Sequence, residues 1–248
     1  MKVEFWSDII CPWCGLMDHR LRQAVDRFEH GAEVDVVHRS LQLHPDLSRD
    51  GVEQRDLFEM FGVPRASGER SVGSIEKLAE AEGLTPYHAL DRTLGPTDLA
   101  HELLAYATEQ GRGPEIWTAM FRAHFGQARK LWTPEQVLEF AAEVGLGRDD
   151  AAAVLKSRRY REDVRADQRE AQRLGATGAP FIVLESRYAI PGAIGTDELV
   201  SLLRRVWNET HSASSALLTI GGIDCQLCAP DGCVVPDQGV DAVGFGAP

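Results

Sequence analysis

The sequence predicts an α/β fold that carries a large all-helical insertion and a C-terminal tail. Residues 1–50 read as an apolar strand, an amphipathic helix and a second strand; helical periodicity alone fills Gln54 to about Leu174; strand signals return after Gly175, followed by a closing helix. Composition changes again near residue 210. The expected organisation is one domain built from residues 1–50 and 175–210, a helical insertion of residues 51–174 and a tail of residues 211–248.

The first strand is the apolar run of Val3, Phe5 and Trp6, with Ile9 and Ile10 in its exit loop. Leu21, Ala24, Val25 and Phe28 then recur at helical spacing, so Cys11-Pro12-Trp13-Cys14 stands where a strand ends and a helix begins. Position decides the chemistry here. Free backbone N–H groups at a helix start, with roughly half a positive charge from the aligned peptide dipoles, favour an anion. Pro12 fits the first helical position, where its missing N–H costs nothing. Cys14 falls one turn on and points back towards Cys11. Thiols in such settings ionise between about pH 3.5 and 7.5 instead of near 8.5, which makes them nucleophiles at neutral pH and good leaving groups. The pair implies disulfide exchange through Cys11 and Cys14.

Glu33 to Leu43 supplies a second strand through Val34, Val36, Val37, Leu41 and Leu43, ended by His44-Pro45-Asp46. Strand, helix and strand make a βαβ unit, for which a parallel right-handed crossover is the rule. The insertion follows. Leu57, Phe58 and Phe61, then Ile75, Leu78 and Ala79, then Leu99, Leu103 and Tyr106, then Met120, Phe121 and Phe125 mark successive helices. Thr133-Pro134-Glu135-Gln136 combines an N-cap, a proline at the first position and a capping-box glutamine. Asp149 or Asp150 is expected to cap another short helix. After Gly178-Ala179-Pro180, Phe181-Ile182-Val183-Leu184 and Arg187-Tyr188-Ala189-Ile190 form a hairpin about Glu185-Ser186, and Thr196 or Asp197 caps the closing helix through Leu199, Leu202, Leu203 and Val206.

Composition excludes whole classes of function. The net charge of −12, from 26 basic and 38 acidic residues, repels a phosphate backbone, so no nucleic-acid partner is expected. Arg158, Arg159, Arg161, Arg165, Arg169 and Arg173 are interleaved with Glu162, Asp163, Asp167 and Glu170, which reads as a solvated helix laced with ion pairs. No apolar run approaches the roughly 20 residues that span a bilayer. The strand beginning at Met1 leaves no room for a secretory leader, and five cysteines are too few for a disulfide scaffold, so a cytoplasmic protein is expected. His19, His38 and His44 read as ordinary core or surface residues.

The order strand, C-P-x-C helix, strand, helical insertion, T-G-A-P-F, hairpin and helix resembles the thioredoxin-like DsbA family. Within it, S-D-I-I-C-P-W-C-G at residues 7–15, F-R-A-H-F at 121–125, A-A-E-V-G-L at 141–146, V-R-A-D at 164–167, and G-A-P-F-I-V-L with R-Y-A-I-P-G-A at 178–193 are similar to the FrnE-type dithiol-disulfide oxidoreductases and isomerases. The resemblance implies a thioredoxin-like fold. It implies that Cys11 attacks a substrate disulfide, that Cys14 resolves the mixed disulfide, and that Pro180 is cis and lies beside the pair. Trp13, Ala179 and Pro180 would then contact substrate, with Ala179 standing where the family pattern has valine or threonine. Glu4 is a candidate for an acid near Cys14. Protein thiols and disulfides are the implied partners, with a thioredoxin system or glutathione as electron donor and no cofactor or metal. A glutathione-dependent isomerase or kappa-class-like transferase shares the fold, but typically with serine where Cys11 stands.

The tail contains Cys225-Gln226-Leu227-Cys228-Ala229-Pro230-Asp231-Gly232-Cys233. Its Ala-Pro-Asp-Gly turn can bring Cys228 and Cys233 within the roughly 4.4–6.8 Å Cα separation of a disulfide. Some FrnE-like proteins carry such a C-x4-C, and Cys228 with Cys233 is expected to be a second redox pair, with Cys225 a competing partner. A structural zinc site on Cys11, Cys14, Cys225 and Cys228 has the right thiolate count, but a gap far from zinc-ribbon spacing.

Overall fold

The computed structural model describes residues 1–211; the tail and its three cysteines lie outside the described residues. A four-stranded sheet in the order β2-β1-β5-β6 is made by β1 (Lys2–Ser7), β2 (Asp35–Ser40), β5 (Phe181–Leu184) and β6 (Tyr188–Pro191). β1 and β2 pair in parallel, joined by α1 (Pro12–Arg27), as the βαβ reading requires. β5 runs antiparallel to β1, with Phe5 opposite Ile182 and Trp6 opposite Phe181. The β5–β6 turn holds Glu185 and Ser186 at φ 51° and 53°, the left-handed region a tight turn demands.

Alternation along β1 and β5 gives the sheet two buried faces. Val3, Phe5, Ile182 and Leu184 join Leu21 and Ala24 of α1 and Leu199, Leu203 and Val206 of the closing helix α9 (Thr196–His211) in the main core. On the other face Trp6, Phe181 and Val183 pack with Leu41 and with Ala171 of α8 (Arg161–Arg173). Asp167 of α8 locks this contact by accepting from Ser40 N at 2.9 Å, while its carbonyl accepts from Trp6 Nε1 at 3.0 Å. The arginines of this region therefore point elsewhere. Arg169 and Arg173 pair with Glu162 and Glu170 of the same helix, whereas Arg158 and Arg159 reach other elements, at Asp98, Glu102 and Glu109.

Between the halves run β3 (Val52–Glu53), α2 (Gln54–Met60), α3 (Arg65–Ala81), β4 (Thr93–Leu94), α4 (Asp98–Glu109), α5 (Gly113–Phe121), α6 (Pro134–Glu143) and α7 (Arg148–Ser157). β3 and β4 form a two-residue-long antiparallel pair for which no sequence signal was evident. The Thr133 capping box forms as expected, with Gln136 N donating to Thr133 Oγ1. α7 is capped by Gly147, and Asp149 and Asp150 sit inside its first turn, where carboxylates still complement the helix dipole. A single π-turn, Arg122–Gly126, follows α5 and turns His124 and Phe125 inward. The insertion shares the main core with the sheet: Leu103, Ile116, Met120 and Phe140 belong to the same buried cluster as Val3 and Phe5.

Candidate active site

Cys11 is the N-cap of α1, with extended backbone angles (φ −82°, ψ 114°), and Pro12 is the first helical residue. The carbonyl of Cys11 accepts from Cys14 N at 2.9 Å and Gly15 N at 3.3 Å, so the start of the helix winds the two sulfurs onto one face. No acidic residue lies in the first turn to oppose an anion there. Both thiols are free and buried, and Trp13 between them is half-buried at the edge of the core.

Opposite the pair lies the loop before β5. The Ala179–Pro180 peptide bond is cis, and Cys11 Sγ donates to Ala179 O at 3.4 Å. Cys11, Ala179 and Pro180, drawn from the two ends of the fold, thus share one site. A second cis bond, Thr85–Pro86, precedes Tyr87 and had no sequence signal.

Burial pushes the Cys14 thiol well above its ordinary range, and the neighbouring Cys11 sulfur adds to the rise. The carboxylate acting on Cys14 is Asp8. Glu4, the sequence candidate for this role, is held elsewhere, by Arg39 at 2.8 Å and Lys2 at 2.9 Å. Glu4 lies on β1, whereas Asp8 lies in the loop just before the cysteines, where its backbone carbonyl accepts from Cys11 N at 3.1 Å. Asp8 is fully buried, and accepts from Leu43 N at 2.7 Å and from His101 Nε2 at 3.3 Å. Burial works to raise its pKa, but the His101 hydrogen bond and charge, with Leu43 and Thr97, hold the carboxyl below the usual range. His38, read from sequence as an ordinary residue, is buried against Asp18 with Nε2 3.0 Å from its Oδ1, which is a core pair inside the helix-sheet packing.

The insertion clamps the cysteine turn from outside the sheet. Tyr87 donates its hydroxyl to the Pro12 carbonyl and stacks on Phe125 with ring centroids 4.7 Å apart. Gly15 is the residue this clamp requires: a Cβ there would lie 2.6 Å from Tyr87 Oη and 2.8 Å from Phe125 Cδ2. Behind Phe125, Arg92 is buried and donates to the carbonyl of Ile10, the residue before Cys11, at 2.8 Å. None of Asp8, Tyr87, Arg92, His101 and His124 was singled out from sequence. Asp8 and His124 lie inside the family-like motifs at 7–15 and 121–125; for Tyr87, Arg92 and His101 the signal was their chemistry, polar side chains inside otherwise apolar segments.

Beside the clamp is a cavity of about 380 Å³ lined among others by Gly15, Tyr87, Phe121, Phe125, Arg22 and Arg122. Among the described residues no group of three or more His, Cys, Asp or Glu is placed to hold a metal ion, and no helix is long and apolar enough to cross a membrane.

Known proteins share this fold. A probable DsbA oxidoreductase from Streptomyces coelicolor superimposes with a TM-score of 0.78 at 36% identity, covering 96% of this chain and all of that one. The uncharacterized protein YwbO of Bacillus subtilis (strain 168) is 26% identical over 200 residues, which is 79% of this chain and 92% of that protein. The cytosolic disulfide reductase DsbM from Pseudomonas aeruginosa, solved with GSH, matches in fold with a TM-score of 0.57 at 19% identity, covering 84% of this chain and all of that one. The family model of the DSBA-like thioredoxin domain matches residues 2–204, nearly all of the described fold. With a cysteine pair at the start of α1, a cis proline entering β5 and helices inserted between the two halves of the sheet, this chain belongs to the DSBA-like thioredoxin domain family and has a thioredoxin-like fold with a helical insertion.

Proposed function

We propose that the protein is a thiol-disulfide oxidoreductase and isomerase acting on protein disulfides through Cys11 and Cys14. One observation carries this reading: Cys11 caps α1 with its sulfur 3.4 Å from the carbonyl that precedes cis Pro180, while Cys14 is sealed beneath it. The Cys11 thiolate attacks a substrate disulfide, one substrate sulfur leaves as a thiolate, and a Cys11–substrate disulfide forms. Cys14 gives up its proton to the released thiolate and attacks Cys11 sulfur, so the second substrate thiolate departs and Cys11–Cys14 is the oxidised product. Two electrons have moved from the protein to the substrate; the reverse sequence oxidises a dithiol. Burial keeps Cys14 protonated until it is needed, which protects the mixed disulfide from premature resolution. Trp13, Ala179 and Pro180 are assigned to substrate contact. A thioredoxin system or glutathione is the proposed electron donor, and the sparse cysteine content supports a reducing, cytoplasmic setting.

The test is capture of the intermediate. In Cys14→Ser the mixed disulfide on Cys11 accumulates and persists on the order of a hundredfold longer than in wild type, because the intramolecular attacker is gone. Mass analysis of the adduct after mixing with a disulfide peptide reads this directly. Absence of any adduct on Cys11 defeats the proposal.

The tail pair belongs to the same proposal. Cys228 and Cys233 are assigned as a second redox pair that exchanges with Cys11–Cys14, supported by their turn-forming spacing. Non-reducing peptide mapping of air-oxidised protein is expected to find Cys228 bridged to Cys233; a fully reduced tail counts against it.

A second reading has its own support. The 380 Å³ cavity beside the cysteine turn is of small-molecule size, aromatic-walled and edged by Arg22 and Arg122, which suits a glutathione-dependent isomerase acting on a small anionic substrate. Cys11 in place of the serine typical of such enzymes favours disulfide chemistry.

A further inference from the structure

Arg92 is a buried cation whose surroundings are unusual for one. Only 4% of its surface is exposed, yet all its hydrogen-bond partners are neutral. Nε donates to Ala89 O at 2.9 Å, Nη2 to Ile10 O at 2.8 Å and Gln54 Oε1 at 3.0 Å, and Nη1 to His124 Nε2 at 2.7 Å. The guanidinium also lies over the Phe125 ring, 4.7 Å from its centroid. Among the described residues no carboxylate forms an ion pair with it; Asp8 and Glu76 act on it only through space. A charge removed from water without an ionic partner is costly to the fold, so its retention calls for a reason.

Asp8, beside the pair, is an anion partnered by His101, and the hydrogen bonds around Arg92 keep the positive charge there on Arg92, not on His124. His124 Nδ1 lies 2.9 Å from Arg129 O and donates to it, which leaves Nε2 as an acceptor for Arg92. Burial, reinforced by the Arg92 charge, lowers the His124 pKa to about 3, so the imidazole stays neutral. Arg92 itself, lowered by burial to about 10, is still cationic at neutral pH. The π-turn that supplies both His124 and Phe125 is a local irregularity of the kind that often builds functional sites.

The cation is aimed at the cysteine turn. Arg92 grips the carbonyl of the residue before Cys11, and Phe125, under its guanidinium, stacks on Tyr87, which continues the contact to Pro12. Pro12 and Trp13 bring no charge of their own to the pair. We propose that Arg92 is the countercharge of the Cys11 thiolate, a positioning residue supplied by the insertion that holds the nucleophile ionised and its loop in place. This rests on the reading of Cys11 as the attacking sulfur. A thiolate in a water-poor site gains more from a fixed cation than it would in solvent, and a shift of one pKa unit changes the ionised fraction near neutral pH by about tenfold.

The experiment is the rate of Cys11 alkylation by iodoacetamide as a function of pH, in the full-length protein with Cys14 and the tail cysteines changed to serine. The expected rate at pH 7 is about tenfold above that of a free cysteine thiol. Arg92→Gln is expected to lose about that factor and move the profile to higher pH, and Arg92→Lys, which keeps the charge, to retain most of the rate. A folded Arg92→Gln protein with the wild-type profile overturns the proposal. So does a reference protein that alkylates no faster than free cysteine, a result that needs no Arg92 variant to fold. The underlying reading is judged separately, by whether Cys11 forms a mixed disulfide in Cys14→Ser: an adduct there with an unchanged Arg92→Gln profile removes only the role of Arg92.

Discussion

Cys11→Ser is expected to reduce insulin at the uncatalysed rate, a loss on the order of a thousandfold, or about 4 kcal/mol of transition-state stabilisation. A serine hydroxyl at the N-cap is still compatible with α1, since Ser is among the preferred caps and can keep the hydrogen bond to Ala179 O. The variant should therefore fold, with unchanged circular dichroism, and the loss isolates the sulfur. What disappears is the exchange step itself: an alkoxide is not available at neutral pH, and no oxygen analogue of the mixed disulfide forms under these conditions. The same variant separates the two functional readings. Turnover that survives the change when glutathione is added would support the small-molecule isomerase and remove protein disulfides as the substrate of this site. The readout is insulin turbidity with and without added glutathione, compared with wild type at equal concentration.

Mild acid is expected to destabilise the protein well above the pH at which carboxylates titrate. His124 is buried, and burial together with the charge of Arg92 lowers its pKa to about 3 from the ordinary 6.5. Between those values the unfolded chain takes up a proton that the folded chain refuses. The unfolded state binds more protons, so stability falls as pH falls through this window. At about 1.4 kcal/mol per unit the full effect is of order 4–5 kcal/mol, and ~3 kcal/mol of it should appear between pH 7 and 4.5. Asp8 and Asp18 add a separate loss. Their carboxyls are held below the usual 3.8, so their contribution is present above that value and disappears as pH falls towards their lower folded pKa. Urea unfolding at pH 7 and 4.5 measures the first effect, and His124→Gln, which cannot titrate, should flatten it. Equal stability of the wild-type protein at the two pH values would rule out His124 as a buried neutral base.

Much of the frame around Cys11 could be read along the chain. The strand and helix periods on either side of Cys11, the Pro12 start of α1, the Thr133 capping box and the hairpin about Glu185-Ser186 all depend on residues within a few positions of one another, and all form as read. The cis state of Pro180 came from the family resemblance, because X-Pro chemistry alone favours trans. The arginine-rich run was read as a solvated helix. The pairs of Arg165, Arg169 and Arg173 with Glu162 and Glu170 are at the surface, but Arg158 reaches the buried Glu102, and α8 carries Asp167 and Ala171 onto the sheet, a docking that polar neighbours concealed.

Where the reading failed, the cause was distance. The family resemblance makes Glu4 the candidate acid near Cys14, yet a strand position fixes only a face, and cross-strand Arg39 claims that carboxylate. Asp8 looked like part of an exit loop until the chain after β2 returned to place Leu43 N on its carboxylate. Arg92, Gln54, His124 and Ile10 come from four separated segments and meet only in the folded protein. That two cysteines open a helix at the end of a strand is legible along the chain, because helix starts and strand periods are written in near neighbours. Which charges that pair feels is set by folding. The strength of a charge depends on how much water the surrounding elements exclude, and that exclusion exists only once they have assembled.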